Sequence, residues 1–372
     1  MSAPAEEIRQ AVRRYAAEQL APHAARWDRD KEFPREALKG LAEMGLYGVA
    51  IPEEWGGAGM DYTSLAVACE EISAGDCATA TVVAVNNLVA GILAGYGNPN
   101  QKEKFLKPLA QGRMLGAFAL TEPQVGSDAS AITTRAERKG SEYILNGVKQ
   151  FITSGKNADV AVVFAVTDKG AGKKGISAFL VPTSTPGYVV ARIEEKLGQR
   201  ASDTAQIVFE NCKTEHLLGQ EGAGYRIALA NLESGRINVA AQATGVARAA
   251  LEAAIAYTRE RKSMGKALIE HQAVNFRLAD MATQVEAARQ LYLHAARLRD
   301  AGQPCLKEAS MAKLFASEMA EKVCSDAIQV HGGYGYVSDF PVERFWRDVR
   351  VTKIYEGAND IQRMVIGREL EG

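Results

Sequence analysis

Apolar residues in the C-terminal third of the chain recur with the period of an α-helix. The clearest stripe runs from Val274 to Tyr292, with spacings of 4, 3, 4, 3 and 4 residues, and it predicts a helix from near His271 to Leu298. Further long helices are predicted over about 226–261 and 306–330. Three long helices in succession predict an up-down bundle.

The N-terminal part of the chain also has a helical pattern. An amphipathic stretch, EEIRQAVRRYAAEQL, is followed by a segment that begins at Pro34 and ends at Gly45, and both residue types are typical of helix boundaries. An uncharged segment then extends from Cys77 to Gln101, which is long enough to cross a bilayer. Asn86, Asn87 and several glycines within it favour a buried helix instead.

Between about Met114 and Gly222 the pattern changes to short runs of β-branched residues. The runs Val160–Val166, Ile176–Val181 and Ile207–Phe209 are separated by Gly, Lys and Pro. No helical period interrupts them, so they predict an antiparallel β domain and not a βαβ array.

A β-hairpin is predicted within this region, centred on Asn146-Gly147. The pair lies between the apolar runs Tyr143–Leu145 and Val148–Ile152. Asn-Gly readily adopts the positive φ angles that a type I′ turn requires. The sequence therefore predicts a tight turn at this point.

Together these patterns predict an α+β fold with three domains. The expected order is an N-terminal helical domain (1–117), a central antiparallel β domain of barrel or sandwich type (118–225) and a C-terminal up-down helical bundle (226–372). A chain of 372 residues has room for two or three domains.

Composition narrows the choice of partners and compartment. The net charge of −1 gives no electrostatic reason to expect nucleic acid or an anionic membrane surface as a partner. Five scattered cysteines without a CxxC pair predict free thiols in a reducing compartment, and the five histidines form no metal-binding motif. The first twenty residues have no apolar core of a signal peptide, so a cytoplasmic protein without a membrane span is expected.

Three segments have compositions that packing alone does not explain. They are ALTEPQVGSD (119–128), QVHGGYGYVSDFPVERFWRD (329–348) and IYEGANDIQR (354–363). With these motifs the sequence resembles the acyl-CoA dehydrogenases, flavoproteins that desaturate acyl-CoA thioesters between the α and β carbons. The resemblance extends over essentially the whole chain. The first signature departs from the family pattern at Val125, where a small residue is usual.

The resemblance implies that Glu356 is the catalytic base. Removal of an α proton from a thioester needs a positioned carboxylate in a dry site and donors to the carbonyl oxygen. By resemblance, one donor is the backbone N–H of Glu356 and the other a hydroxyl of the flavin ribityl chain. Gly357 has no Cβ and lets the thioester approach the backbone. Burial is expected to raise the pKa of Glu356. Taken alone, without the resemblance, Glu356 would better suit a solvated carboxylate at a helix start.

The resemblance also implies FAD as the cofactor. The implied FAD contacts come from the loop after the first β segment, from the FITSG motif, from the helical bundle and from the turn after Glu356. They are Phe118, Ala119, Leu120, Thr121, Gly126, Ser127, Phe151, Ile152, Thr153, Arg261, Ser263, His271, Gln272, Gln329, Val330, His331, Gly332, Gly333, Ala358, Asn359 and Asp360.

Several of these positions depart from the family pattern or have an alternative interpretation. Phe151 replaces the usual Trp, which keeps an aromatic face but loses an indole N–H, and on its own it would suit a core residue of a strand. Arg261 suits a pyrophosphate because a guanidinium offers paired donors, but it also lies in a charged run typical of a solvated surface. Ala358, Asn359 and Asp360 replace the more common Thr-Ser-Gln or Thr-Ser-Glu.

The positions His271, Gln272 and Gln329–Gly333 match family positions that reach the FAD of a neighbouring subunit. This sharing implies an oligomer, commonly a homotetramer built as a dimer of dimers. The resemblance further implies an electron-transfer flavoprotein as the electron acceptor and a role in fatty acid metabolism.

For the acyl-CoA substrate, the implied contacts are Ser127, Glu233, Arg236 and Gly357, and the helix around 85–93 is the expected wall of the acyl pocket. The acyl group itself stays open. Two alternatives also stay open: an acyl-CoA oxidase or reductase on the same scaffold, and a non-catalytic scaffold that has lost the chemistry. The sequence has no GxGxxG unit of a Rossmann fold, no GxSxG elbow and no Walker motif.

Overall fold

The computed structural model describes residues 3–371, which form helices, then a β-sheet, then helices. The N-terminal part contains α1 (Ala3–Tyr15), α2 (Ala21–Asp30), α3 (Arg35–Glu43), α4 (Tyr62–Gly75), α5 (Cys77–Tyr96), α6 (Pro99–Gln101) and α7 (Lys107–Ala110). Asp61 and Asp76 begin α4 and α5, because their carboxylates accept the backbone N–H of Ser64 and Thr79, both at 2.8 Å.

Helix α5 forms most of the uncharged segment for which the sequence predicted a buried helix. It is the one helix in the described chain whose length and composition would allow it to cross a membrane, and 83% of its most apolar window is buried inside the protein. Asn86 and Asn87 lie on its buried side, and their amides donate to the backbone carbonyls of Tyr47 and Leu46 at 3.1 and 2.8 Å. A buried helix was predicted here, and the packing agrees with it.

The central part is one eight-stranded sheet. Its strands are β1 (Gly116–Ala119), β2 (Arg135–Lys139), β3 (Glu142–Thr153), β4 (Val160–Val166), β5 (Ile176–Pro182), β6 (Tyr188–Ile193), β7 (Thr204–Thr214) and β8 (Leu217–Leu218). The strand order is β6-β7-β3-β2-β4-β5-β8, and β1 also pairs with β4. Most pairs are antiparallel, as predicted, whereas β1 and β2 lie parallel to β4. The chain reaches these two parallel pairs without a crossover helix.

The predicted hairpin at Asn146-Gly147 is wrong. Both residues lie inside the continuous strand β3, and the turn comes earlier, at Gly140 (φ 64°), between β2 and β3. Gly147 (φ 150°) instead marks a register shift between β3 and β7. A Cβ at Gly147 would lie only 2.5 Å from the Thr134 hydroxyl oxygen, so the glycine serves a close approach inside the sheet and not a turn.

The C-terminal part is the helical bundle that the apolar stripe predicted. It contains α8 (Gly224–Glu260), a short hairpin of β9 (Lys262–Ser263) and β10 (Lys266–Ala267), α9 (Gln272–Asp300), α10 (Leu306–His331), α11 (Val342–Val349) and α12 (Asn359–Glu371). The stripe on α9 faces the core, where Met281 and Tyr292 are fully buried. The bundle shares one core with α4 and α5.

The predicted fold class is therefore confirmed. The domain boundaries predicted at 117/118 and 225/226 stay a prediction. The chain changes from helix to strand between α7 and β1, and it returns to helix between β8 and α8. All five cysteines are buried and free, in agreement with the expected free thiols.

Candidate functional site

A cavity of about 220 Å³ lies where the three parts of the chain meet. Its walls come from α5, the loop after β1, the end of β3, the first half of α8 and the segment that joins α11 to α12. The residues that were predicted as site residues and line this cavity are Phe118, Leu120, Thr121, Gly126, Ser127, Phe151, Ile152, Thr153, Arg236, Glu356 and Gly357. Segments more than 200 residues apart in the sequence thus form one site.

Glu356 is the one carboxylate that lines the cavity in the described chain. It is partly buried, and its Oε2 atom has no hydrogen-bond partner. Burial raises the pKa of Glu356 to about 7, although the nearby charges of Arg236 and Lys313 act in the opposite direction. A carboxylate with an unpartnered oxygen and a pKa near neutrality is suited to accept a proton from a bound molecule.

The backbone at Glu356 has a left-handed conformation. Glu356 has φ 54° and Gly357 has φ 85°, and such a conformation costs about 1–2 kcal/mol for a residue with a Cβ. A Cβ at Gly357 would also lie 2.7 Å from the Gln362 side-chain nitrogen, which would then have to move. Opposite the turn, a Cβ at Gly235 in α8 would lie 2.6 Å from Glu356 Oε2. Two glycines therefore leave room for the turn and for its carboxylate.

A chain of hydrogen-bonded polar side chains lies next to Glu356. The Tyr355 hydroxyl donates to Gln242 Oε1 at 3.0 Å and accepts from Gln199 Nε2 at 3.3 Å, and the Thr81 hydroxyl donates to Gln199 Oε1 at 2.7 Å. Burial raises the pKa of Tyr355 well above its usual range, so its hydroxyl stays protonated. Sequence reasoning did not identify this network, since its members come from four separate segments.

The end of β3 presents an exposed aromatic ring on the wall of the same cavity. Phe151 is 62% exposed and has φ 59°, next to a register shift between Lys149 and Ile152. Because this ring is exposed and its backbone is strained, the alternative that Phe151 is a core residue of a strand is wrong. The backbone N–H of Gln150 donates to the carbonyl of Thr121 at 2.8 Å and ties β3 to the loop after β1.

The loop after β1 is held in place by a buried ion pair that sequence reasoning missed. Lys149 Nζ donates to Leu120 O and to Glu122 Oε1, both at 2.9 Å, and both side chains are almost fully buried. Burial alone would raise the pKa of Glu122, but the charge of Lys149 and hydrogen bonds from Thr133 and Thr134 lower it to about 2. The pair fixes the backbone on which Leu120 and Thr121 line the cavity.

A second group of predicted residues lies away from this cavity. Its members are Arg261, Ser263, His271, Gln272, Gln329, Val330, His331, Gly332 and Gly333, none of which lines it. They adjoin one another around the β9–β10 hairpin and the end of α10: Arg261 lies over the Tyr334 ring at 5.8 Å, and His271 Nε2 is 3.0 Å from Ser263 O. His331 is buried and stacks on Tyr257 with ring centroids 4.3 Å apart.

The remaining predicted residues have other surroundings. Ala119 is buried in β1, and Ala358, Asn359 and Asp360 follow the Glu356 turn without lining the cavity. Glu233 also lies outside it and is paired with Arg299 at 3.5 Å and with the Cys305 thiol at 3.2 Å. Arg236 lines the cavity, donates to the Ser310 hydroxyl at 3.1 Å and has a buried Nε without a partner.

The sequence matches family models over nearly its full length. The models are those of the acyl-CoA dehydrogenase N-terminal domain (residues 2–113), middle domain (117–212) and C-terminal domain (222–371). An acyl-CoA dehydrogenase of Bacillus subtilis (strain 168) is 47% identical over 368 residues, which are 98% of this chain and 97% of that protein. The mitochondrial short-chain specific acyl-CoA dehydrogenase of Rattus norvegicus is 45% identical over 98% of this chain and 89% of its own.

A solved structure shows the same similarity in three dimensions. The butyryl-CoA dehydrogenase from Megasphaera elsdenii has a TM-score of 0.98 at 40% identity, and the match covers 100% of this chain and 99% of the other. The resemblance that the motifs indicated is confirmed. The chain belongs to the acyl-CoA dehydrogenase family, FAD-dependent flavoprotein oxidoreductases of fatty acid metabolism.

Proposed function

We propose that this protein oxidises short-chain acyl-CoA thioesters to α,β-unsaturated acyl-CoA, with Glu356 as the base. The observation that carries the proposal is the Glu356 carboxylate, which faces the cavity with an unpartnered oxygen and a pKa raised to about 7. Close relatives support the short-chain substrate, since they include a short-chain specific enzyme and a butyryl-CoA dehydrogenase.

In the proposed reaction, the Glu356 carboxylate removes a proton from the α carbon of the thioester. The electron pair of that C–H bond forms the new double bond, and the β hydrogen leaves with its own electron pair. Bound FAD would supply the acceptor for this hydride. The backbone N–H of Glu356 is the proposed donor to the thioester carbonyl, where negative charge develops as the proton leaves. Gly357 has no side chain to block the thioester.

The cavity has features that fit a flavin. The exposed ring of Phe151 offers an aromatic face, and Thr121, Ser127 and Thr153 offer hydroxyl groups beside it. Thr121 is proposed to bond the pyrimidine edge of the flavin ring and Thr153 its hydride-accepting nitrogen. On the substrate side, Ser127 and Arg236 are proposed to contact the CoA ester. Glu233 is not part of the proposed substrate contacts, since it lies outside the cavity and is paired with Arg299 and Cys305.

Assembly into a homotetramer is part of the proposal. Large apolar side chains are exposed on the segment between α8 and α9, on α9 and after α10: they are Met264 at 92%, Phe276 at 58% and Tyr336 at 87%. Such a group of exposed apolar residues is typical of a subunit interface. Arg261, His271, Gln272 and the Gln329–Gly333 segment are proposed to contact FAD across it. Light scattering on the purified protein tests this assembly directly.

The proposed electron acceptor is an electron-transfer flavoprotein, and the proposed location is the cytoplasm, where buried free thiols such as those of this chain stay reduced. Reoxidation of the reduced enzyme is to be compared in air and with an electron-transfer flavoprotein. Fast reoxidation by the flavoprotein and slow reoxidation by air supports a dehydrogenase. Fast reoxidation by air alone would identify an oxidase.

The variant Glu356→Gln tests the proposed base. It removes the basic oxygen while keeping the size of the side chain, so the yellow protein should bind FAD and fold normally. Mixed anaerobically with butyryl-CoA, it should not bleach, whereas the wild-type flavin should bleach within the mixing experiment. A variant that retains more than a few per cent of the wild-type bleaching rate would contradict the assignment. A colourless wild-type protein would support the non-catalytic scaffold instead.

A further inference from the structure

A buried lysine lies directly behind the turn that carries Glu356. Lys313, in the first third of α10, has a side chain that is 0% exposed. Its Nζ atom donates to the backbone carbonyl of Gly357 at 2.8 Å and to Asn359 Oδ1 at 2.9 Å. An ammonium group is costly to bury away from solvent, so a fully buried lysine is unusual at such a position.

The contacts of Lys313 fix the left-handed turn at both ends. The Gly357 carbonyl also accepts from the Gln362 side chain at 2.7 Å, so two donors hold one oxygen. Asn359 is anchored to α10 by Ser317, whose hydroxyl accepts from its Nδ2 at 3.0 Å. Lys313 therefore ties both Gly357, the residue after Glu356, and Asn359, the first residue of α12, to α10.

The charges around Glu356 are few and can be named. Arg236 from α8 and Lys313 from α10 are the cationic groups that act on it. Lys313 in turn is acted on by Glu356, Arg236 and Glu318, and burial lowers the pKa of Lys313 to about 7. Glu318 also pairs with Arg363 on α12. Lys313 is therefore one of two positive charges that favour the ionised form of Glu356.

We infer that Lys313 is a positioning residue for the base: its ammonium group holds the Gly357 carbonyl, which keeps the Glu356 carboxylate directed into the cavity, and its charge favours that carboxylate in the ionised form. This inference rests on the proposed function, since it needs Glu356 to be the base. Lys313 itself does not line the cavity. Its effect reaches the reaction only through the turn.

Two substitutions separate the mechanical and electrostatic parts of this role. Lys313→Met has a similar length but removes the donor and the charge, whereas Lys313→Gln removes the charge and keeps an N–H donor on a side chain that is one atom shorter. Lys322→Met is the matched control, because Lys322 lies on the same helix with its side chain 61% exposed and pairs only with Asp326 one turn away. Lys313→Gln also serves if Lys313→Met does not fold.

The experiment is anaerobic stopped-flow reduction of the holoenzyme flavin by butyryl-CoA over a range of pH. FAD content and the thermal unfolding midpoint are measured for each variant. In Lys313→Met the limiting rate at pH 7 should fall about tenfold or more, with the substrate concentration for half-maximal rate changed less than threefold. In both Lys313 variants the acid limb of the rate profile should move up by about one pH unit, because loss of a nearby positive charge raises the pKa of a carboxylate.

A purely structural lysine would give a different result. It would lower the unfolding midpoint and leave the pH midpoint of flavin reduction at the wild-type value, and that result in both Lys313 variants would overturn the inference. A shift of the same size in Lys322→Met would overturn it as well. If Glu356→Gln reduces its flavin like the wild type, the proposed function itself fails. If Glu356→Gln is inactive and the Lys313 variants have wild-type rates and pH midpoints, only the role of Lys313 fails.

Discussion

The variant Gly235→Ala separates the position of the Glu356 carboxylate from the stability of the fold. Gly235 lies inside α8, and a Cβ there would meet Glu356 Oε2 at 2.6 Å and Cδ at 2.9 Å. An ordinary contact needs about 3.5 Å, so the carboxylate must move by roughly 1 Å. The atoms in the way are the end of a flexible side chain, and no backbone has to shift.

This geometry predicts opposite effects on activity and stability. A misplacement of about 1 Å at a reacting group can cost about 100-fold in rate, so we expect the limiting rate of flavin reduction to fall by that order. The helix itself should gain about 0.5–1 kcal/mol in the free energy of unfolding, because alanine replaces glycine in a helix interior. Bound FAD should be unchanged.

The assay is stopped-flow reduction of the bound flavin by butyryl-CoA, together with thermal unfolding. Gly367→Ala is the matched control, since Gly367 lies in α12 and a Cβ there would meet no atom within 4 Å. Gly367→Ala should show the gain in the free energy of unfolding and keep the wild-type rate of flavin reduction. If Gly235→Ala reduced its flavin at the wild-type rate, Glu356 would not act from the position described here. If it unfolded instead, the argument about the flexible side chain would be wrong.

Two further predictions concern the supports of the site. Glu122→Gln leaves the buried Lys149 without its negatively charged partner, so the free energy of unfolding should fall by about 3–5 kcal/mol in urea titrations, and FAD should be retained poorly. Because the folded pKa of Glu122 is lowered to about 2, its wild-type contribution to stability should be fully present above about pH 4.5 and lost as the pH falls towards 2. Arg261→Ala should weaken FAD retention and tetramer stability together, measured by flavin absorbance and light scattering; loss of neither would show that Arg261 faces solvent.

The helical parts of the fold could be predicted from the sequence because their signal is local. The stripe from Val274 to Tyr292 places α9 within two residues of its observed ends. The turn at Asn146-Gly147 failed because the same dipeptide suits a hairpin and a register shift inside a strand. Only the neighbour Thr134, which lies just before β2, decides between the two.

The site was predicted only where a motif marked it. Glu356, Thr121 and Phe151 were identified by their resemblance to a family, and each lines the cavity. Lys313 and Lys149 have no such signal, since a lone lysine in a helix or strand usually faces solvent. Their burial follows from partners 46 and 27 residues away in the sequence, which no local pattern reveals.

The most direct measurement of the central claim uses acyl-CoA that carries deuterium at the α or the β carbon. Both C–H bonds break in the proposed reaction, one towards Glu356 and one towards the flavin. In anaerobic stopped-flow experiments with saturating butyryl-CoA, either label alone should slow the bleaching of the wild-type flavin, and both labels together should slow it further. Bleaching at an unchanged rate with the α label, the β label and both labels would contradict the account.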